Sequence, residues 1–545
     1  MIAGTAQPAA AHAVLLRTDP SPQTTVAEPP SAIRLQFSEP VEVAFGAVRL
    51  FDVDGHRVDS GRIHRASGDR EVVLPLSSLK DGTYTVTWRV ASSDGHRVSG
   101  GFDFYVGAPS TISAVAVQRD QGSGRVVGWG FGIMRFAWFA ALFAIIGLVV
   151  GRRWVWTPAV RATDLADSPA ADTYRALFRR AVPLAWLVLL VSGALTLVFQ
   201  AATLSGLSLW SAARPEILGE VLRTTFGRVW MAQMVLTLLA LVPVVALARG
   251  RRLLGWSLPV WIALLAIPVA GLCVAAAFNG HARTGPRPGL AMASIAIHLL
   301  TVGIWVGGLG ALVVVGGAAW RKLEPGDRSG LLRQLVPRFS RLAIVAVAAV
   351  ILTGVVNSFA GLATVSDLWK LTYGRVLLVK IIVLLVALLF AARHRRGKQG
   401  VVSFQRTAAA ELGLLLVAVA LGAALIALVP GRSVALAAKG PVNQEKAIGA
   451  YTAQLFIDPT TVGANQVHVT FVNAQGLGAA EVQNTIVTFG RAGAALDPVA
   501  MRLVSPGHFV GDVTLPAPGE YELTVATGAG APTTFEFRLQ KGNAS

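Results

Sequence analysis

LAMASIAIHLLTVGIWVGGLGALVVVG, Leu290–Gly316, is 27 residues long and contains no Lys, Arg, Asp or Glu. At about 1.5 Å per residue, such a stretch crosses the ~30 Å hydrocarbon core of a bilayer as an α-helix. Seven further runs read the same way: Val127–Val150, Ala181–Leu204, Phe226–Ala248, Gly255–Phe278, Leu342–Leu362, Thr372–Ala392 and Ala408–Val429. The whole chain agrees, because 53% of its 545 residues are hydrophobic, only 14% are charged, and mean hydropathy is +0.58. That balance excludes a disordered chain and argues against an ordinary soluble enzyme. A net charge of +18 would suit nucleic acid if it gathered on a polar surface, but here it sits in short loops between apolar runs.

Those loops alternate in charge. Four of them, around Arg152–Arg180, Arg249–Arg252, Arg321–Arg341 and Arg393–Arg406, hold 20 Lys and Arg residues. The three between them hold only 7: Arg214, Arg223, Arg228, Arg283, Arg287, Lys370 and Arg375. Basic loops stay on the cytoplasmic side, so the eight spans place both termini outside a plasma membrane.

Both flanks of the membrane region alternate with period two. Ile33, Leu35 and Phe37, then Tyr84, Val86, Trp88 and Val90, then Phe102, Phe104 and Val106 interleave with polar residues, with Asp-Gly turns between. Residues 12–107 therefore form an all-β sandwich or barrel, followed by a linker over 108–126. The membrane domain occupies 127–430, a second linker 431–444, and a second all-β sandwich 445–541. In that last domain Tyr451, Ala453, Leu455 and Ile457 alternate, as do Val467, Val469 and Phe471. His468 is out of phase and faces away from the core. Met1–Ala11 ends in small residues, with Ala9 and Ala11 in an A-x-A arrangement before His12. This segment reads as the tail of a secretory signal whose start lies upstream of Met1.

FSEPVEV (Phe37–Val43) and DGTYTVTWRVASSDGHRVSGGFDFYVG (Asp81–Gly107) resemble the CopC copper-binding family. GHA (Gly280–Ala282), HLLTVGIWVGGL (His298–Leu309), RFSRLA (Arg338–Ala343) and YGRVLLVK (Tyr373–Lys380) resemble CopD. Their order is that of CopC–CopD fusions, including the YcnJ-like copper transport and resistance proteins. The resemblance implies a Cu(II) site on His12, Asp94 and His96. A mature N-terminal His offers its amine and imidazole as a chelate, and Cu(II) favours such nitrogen and oxygen donors. No Met occurs between residues 2 and 133, which excludes a Met-rich Cu(I) site in this domain.

Soft and polar side chains recur at one depth in the outer half of the bundle. Met134, Met231, Met234, Cys273, His281, Met292 and His298 form a candidate Cu(I) path, since thioether, thiol and imidazole donors suit that ion. Lys380, inside the seventh run, is a candidate for a polar path or for a snorkelling cation. In the C-terminal domain Met501 and His508 are a secondary copper candidate. Cys273 is the single cysteine, so intrachain disulfides and Cys-ligated clusters are excluded.

The function expected is copper capture outside and passage through the bundle, for import or for homeostasis and resistance. Both outcomes stay open. No catalytic constellation or phosphate-binding loop is present, so an enzyme is not expected and energy comes from a gradient or a trapping step. A copper chaperone or a reductase outside the membrane is a candidate partner; nucleic acid is not. The alternatives are a membrane haem or copper redox protein using His281 and His298, and a copper sensor or delivery scaffold.

Overall fold

The computed structural model describes residues 13, 15–22, 24–43, 48–53, 56–59, 63–92, 97–107, 124–250, 257–279, 287–395, 401–428, 430–431, 442–458, 460–473, 479, 481–491, 494–505, 507–528 and 530–539. They fall into two units, Met1–Gln121 with Arg432–Ser545, and Gly122–Gly431.

The N-terminal region is a sandwich. Its strands are β1 (Leu15–Asp19), β2 (Thr25–Val26), β3 (Ala32–Phe37), β4 (Val41–Glu42), β5 (Val48–Phe51), β6 (His64–Ala66), β7 (Glu71–Pro75), β8 (Gly82–Ser92) and β9 (Arg97–Val106). One sheet runs β1-β3-β7-β6; the other runs β2-β9-β8-β4, with β5 also on β8. The period-two residues make the core: Ile33, Leu35 and Phe37 of one sheet are buried with Val86, Trp88 and Phe104 of the other. Phe37 meets Trp88 edge-on at 5.4 Å between ring centres. Each such side chain contributes about 1.5–3 kcal/mol of burial.

Among the described residues, eight helices are long and apolar enough to cross a membrane: Val126–Arg161, Pro169–Ser205, Thr225–Arg249, Leu258–Ala277, Pro288–Trp320, Pro325–Gly361, Thr372–Arg393 and Phe404–Leu425. They are called the first to eighth spans below. The second and sixth extend well beyond their apolar runs at the end carrying the basic loops, as Pro169–Arg180 and Pro325–Arg341 continue the helix. The first and fifth spans touch backbone to backbone. A Cβ on Gly147 would stand 1.8 Å from Gly307 C, and one on Gly307 would stand 1.8 Å from Phe143 O. Gly307 is thus a packing residue that nothing larger can replace without separating the two helices. Next to this contact the fifth span widens into two π-helical segments, Gly303–Gly307 and Ala311–Gly316.

The C-terminal region is a second sandwich, of β10 (Val442–Ile448), β11 (Tyr451–Asp458), β12 (Gly463–Val472), β13 (Ile486–Arg491), β14 (Ala494–Val499), β15 (Arg502–Ser505), β16 (His508–Leu515), β17 (Gly519–Thr527) and β18 (Gly530–Leu539). Its sheets are β10-β11-β12-β16-β15 and β14-β13-β17-β18. Ala453, Leu455, Ile457, Val467, Val469 and Phe471 pack against Phe489, Tyr521, Leu523 and Phe535. His468 does lie on the face opposite this core, yet it is only 3% exposed. Alternation fixes which face a residue takes and says nothing of whether that face is covered.

Candidate functional site

In the bundle, the imidazole of His298 reaches from the fifth span to the sixth. Its Nδ1 stands 2.9 Å from Thr353 Oγ1. The Thr353 hydroxyl already donates its single proton back along its own helix, to Ala349 O at 2.6 Å. With that proton so engaged, the hydroxyl is placed to accept from the imidazole, an arrangement that favours a proton on His298 Nδ1. That assignment leaves the Nε2 lone pair as the ligating position of a neutral imidazole. Ser294, one turn before His298, donates to Thr353 O at 3.3 Å, so the pair of helices is tied twice at this level. One turn beyond Thr353, the Asn357 carbonyl oxygen is buried without a hydrogen-bond partner among the described residues.

Lys380 of the seventh span joins this neighbourhood. Its Nζ lies 3.3 Å from the place a Cβ would take on Gly422 of the eighth span. It also stands within coulombic reach of the His298 imidazole. Polar groups of spans five, six and seven thus lie near one another, with Gly422 of the eighth span beside Lys380. Ser294 and Thr353 were not singled out in the sequence, because a hydroxyl residue in an apolar helix gives no signal of its own partner.

The sulfur residues do not join them. Met234 packs over Gly193 of the second span beside Trp138 of the first. Met231 is 41% exposed on the outer surface of the bundle. Met134 and Met292 are half-buried on the first and fifth spans. Cys273 is buried within the apolar core of the bundle among residues such as Leu272 and Val269. His281 lies outside the described residues.

His12, Asp94 and His96 also lie outside the described residues. The residues that flank them converge on one end of the N-terminal sandwich. Leu15, which opens β1, pairs with Phe37 at the end of β3. Val41 pairs with Ser92, the last residue of β8, and Ala91 pairs with Arg97 across the turn. Glu39, buried between β3 and β4, accepts a hydrogen bond from the Ser92 hydroxyl. It thereby ties the end of β8, which leads to residues 93–96, to the strand end beside which β1 begins. Sequence reading passed over Glu39, although it lies inside the FSEPVEV motif. His56 and His64 are exposed on the same domain.

Met501 and His508 are not a pair. Met501 packs against the core and would touch a Cβ on Gly511, on the inner face of β16. His508 is on the outer face of that strand, where its neighbour is His468, Nδ1 to Nε2 at 3.3 Å. Successive odd and even positions of a strand cannot share a face, which rules the thioether out.

Three family models match the chain: CopC domain over residues 15–107, copper resistance protein D-like N-terminal domain over 126–290, and copper resistance protein D over 333–425. Copper transport protein CutJ of Bacillus subtilis is 27% identical over 489 residues, 89% of this chain and 86% of the relative. Protein YobA of Escherichia coli is 38% identical over 98 residues, 18% of this chain and 79% of the relative. Copper resistance protein C of Escherichia coli is 32% identical over 114 residues, 19% of this chain and 90% of the relative. Among solved structures, CopC from Methylosinus trichosporium is 37% identical, with a TM-score of 0.17, over 18% of this chain and 95% of that one.

Proposed function

The chain belongs to the copper transport and resistance family that joins CopC and CopD domains in one polypeptide, and from that premise we propose that it captures copper outside the membrane and carries it inward. In this reading the N-terminal sandwich takes Cu(II) on His12, Asp94 and His96, and both sandwiches lie outside. The ion then passes into the bundle as Cu(I), reduced by a partner, and meets the free Nε2 of His298. The observation that carries the reading is the contact of Nδ1 with Thr353 Oγ1, which favours the neutral tautomer a soft cation needs. Ligation by a fixed imidazole offsets part of the desolvation that a bare cation suffers in the membrane. Lys380 stands beside the same site.

The test is cellular copper content in cells expressing the full chain or His298→Ala. The substitution should abolish the accumulation that depends on this protein, while Cu(II) binding by the N-terminal domain is unchanged. Thr353→Val should lower accumulation about tenfold or more by freeing the tautomer. Normal accumulation in the His298 variant would overturn the path. A Soret band in purified protein would replace it with the haem redox reading.

A further inference from the structure

His468 on β12 and His508 on β16 are diagonal neighbours on the outer face of their sheet, with His468 opposite Val510 and Thr470 opposite His508. Their rings lie 5.5 Å apart, 14° from parallel, and His468 Nδ1 faces His508 Nε2 at 3.3 Å. Both residues are buried, at 3% and 2% exposure. On its other side His468 Nε2 meets Gln466 Oε1 at 3.1 Å, and the Gln466 amide nitrogen donates to Asp512 Oδ1 at 3.2 Å. The carboxylate thus orients the amide, and the amide oxygen accepts the His468 Nε2 proton. His468 Nδ1 is left as a bare lone pair aimed at its partner. His508 Nδ1 has no hydrogen-bond partner among the described residues, so this imidazole is held only from the His468 side.

We propose that His468 Nδ1 and His508 Nε2 together bind one Cu(I) ion in the C-terminal sandwich. Metal–imidazole bonds of about 2.0–2.1 Å span ~3.3 Å at a tetrahedral angle and ~4 Å in line, so the pair needs less than an ångström of movement for either. Two imidazoles without a carboxylate ligand suit a monovalent soft ion; a divalent hard ion demands more oxygen donors. Gln466 and Asp512 supply the outer support that ligating histidines require, and they fix the ligating nitrogen. The exchange balances: both imidazoles stay neutral, and the His508 proton moves from Nε2 to Nδ1 as the ion enters. This site is independent of the membrane path, and Met501, on the opposite face, takes no part.

The experiment uses full-length protein carrying His96→Ala and His298→Ala, which removes ligands of the two sites proposed above. Cu(I) generated with ascorbate is titrated against bicinchoninate under nitrogen. One further equivalent should remain bound, with X-ray absorption showing nitrogen neighbours and no sulfur. Adding His468→Ala or His508→Ala should each remove that same equivalent, and Gln466→Ala should keep it with about tenfold weaker affinity. Because a histidine variant can misfold, the absorption spectrum of the background protein stands as a second measurement. Absence of the extra equivalent, sulfur neighbours, or its retention in His508→Ala would overturn the site.

Discussion

In the N-terminal sandwich the Tyr84 hydroxyl donates to Lys80 O at 2.9 Å, and in the C-terminal one Tyr521 donates to Ala517 O at 2.7 Å. Each tyrosine stands four residues after its acceptor, near the start of a strand, and stacks on a core phenylalanine: Phe104 for Tyr84, Phe537 for Tyr521. Two sandwiches with the same corner and the same alternating core nevertheless carry their histidines in different places. In the first, the ligand set proposed above lies at positions 12, 94 and 96, while the histidines on described positions, His56 and His64, are exposed. In the second, two histidines are buried on a sheet face. A turn can present ligands to a fully solvated ion, whereas a covered face excludes water and holds neutral donors. On the two proposals above, that difference would suit Cu(II) at one site and Cu(I) at the other.

The largest effect should come from blocking the end of the first sandwich. A protein beginning at His12 offers an amine beside its imidazole; one retaining Met1–Ala11 does not, though it keeps every side chain. Cu(II) affinity in the full chain should fall at least roughly a hundredfold, about 2.7 kcal/mol, in the longer form. His96→Ala and Asp94→Ala should each weaken the shorter form. Equal affinity in the two forms would remove the amine from the site, and with it the contrast drawn here.

Acid should separate the sandwiches next. Burial holds His468 down at about 4, against a small opposing pull from Asp512, and burial followed by the neighbouring His468 charge holds His508 at about 3. Unfolded histidine titrates near 6.5, so below that pH the unfolded chain binds more protons than the folded one. Their contribution is therefore complete above about pH 6.5 and is lost as pH falls toward the folded values. The slope is about 1.4 kcal/mol per unit for each histidine. Hydrogen exchange in the full chain, corrected for intrinsic rates, should show β12 and β16 opening between about pH 6.5 and 5. The N-terminal strands β3 and β8 should hold over that interval. Equal loosening of both would assign acid sensitivity to something other than the buried pair.

The unequal legibility of these regions has a physical origin. Eight spans announce themselves because lipid demands about twenty consecutive apolar residues from every crossing helix. Strand cores are nearly as plain: Ile33, Leu35 and Phe37 alternate, and each is buried as its phase requires. Partners across elements are another matter. Nothing local to His298 names Thr353, 55 positions later. His468 illustrates the same limit, since its phase gave the face correctly while the cover over that face comes from residues distant in sequence. Glu39 was visible within a motif, yet its bond to Ser92 spans 53 positions and depends on how two sheets close.

The smallest effect should be the one the sandwiches share. Tyr84→Phe removes the hydrogen bond to Lys80 O but leaves the ring stacked on Phe104 at 5.7 Å. Tyr521→Phe removes the bond to Ala517 O and leaves its ring 5.7 Å from Phe537. Because the aromatic burial is retained in both, each variant loses the net worth of two hydrogen bonds, the second accepted from Lys80 N–H or Ala517 N–H, about 2 kcal/mol. In each case the orphaned carbonyl and amide belong to a residue that precedes the strand and is not buried, which keeps the cost near that value rather than adding a buried unsatisfied group. Hydrogen exchange on β8 and β17 should therefore accelerate by a similar factor, roughly thirtyfold, in the two variants. A much larger loss at Tyr521 would mean that the C-terminal corner also supports the covered face bearing His468 and His508. The two corners would then differ in role, and the likeness between the sandwiches would end at their cores.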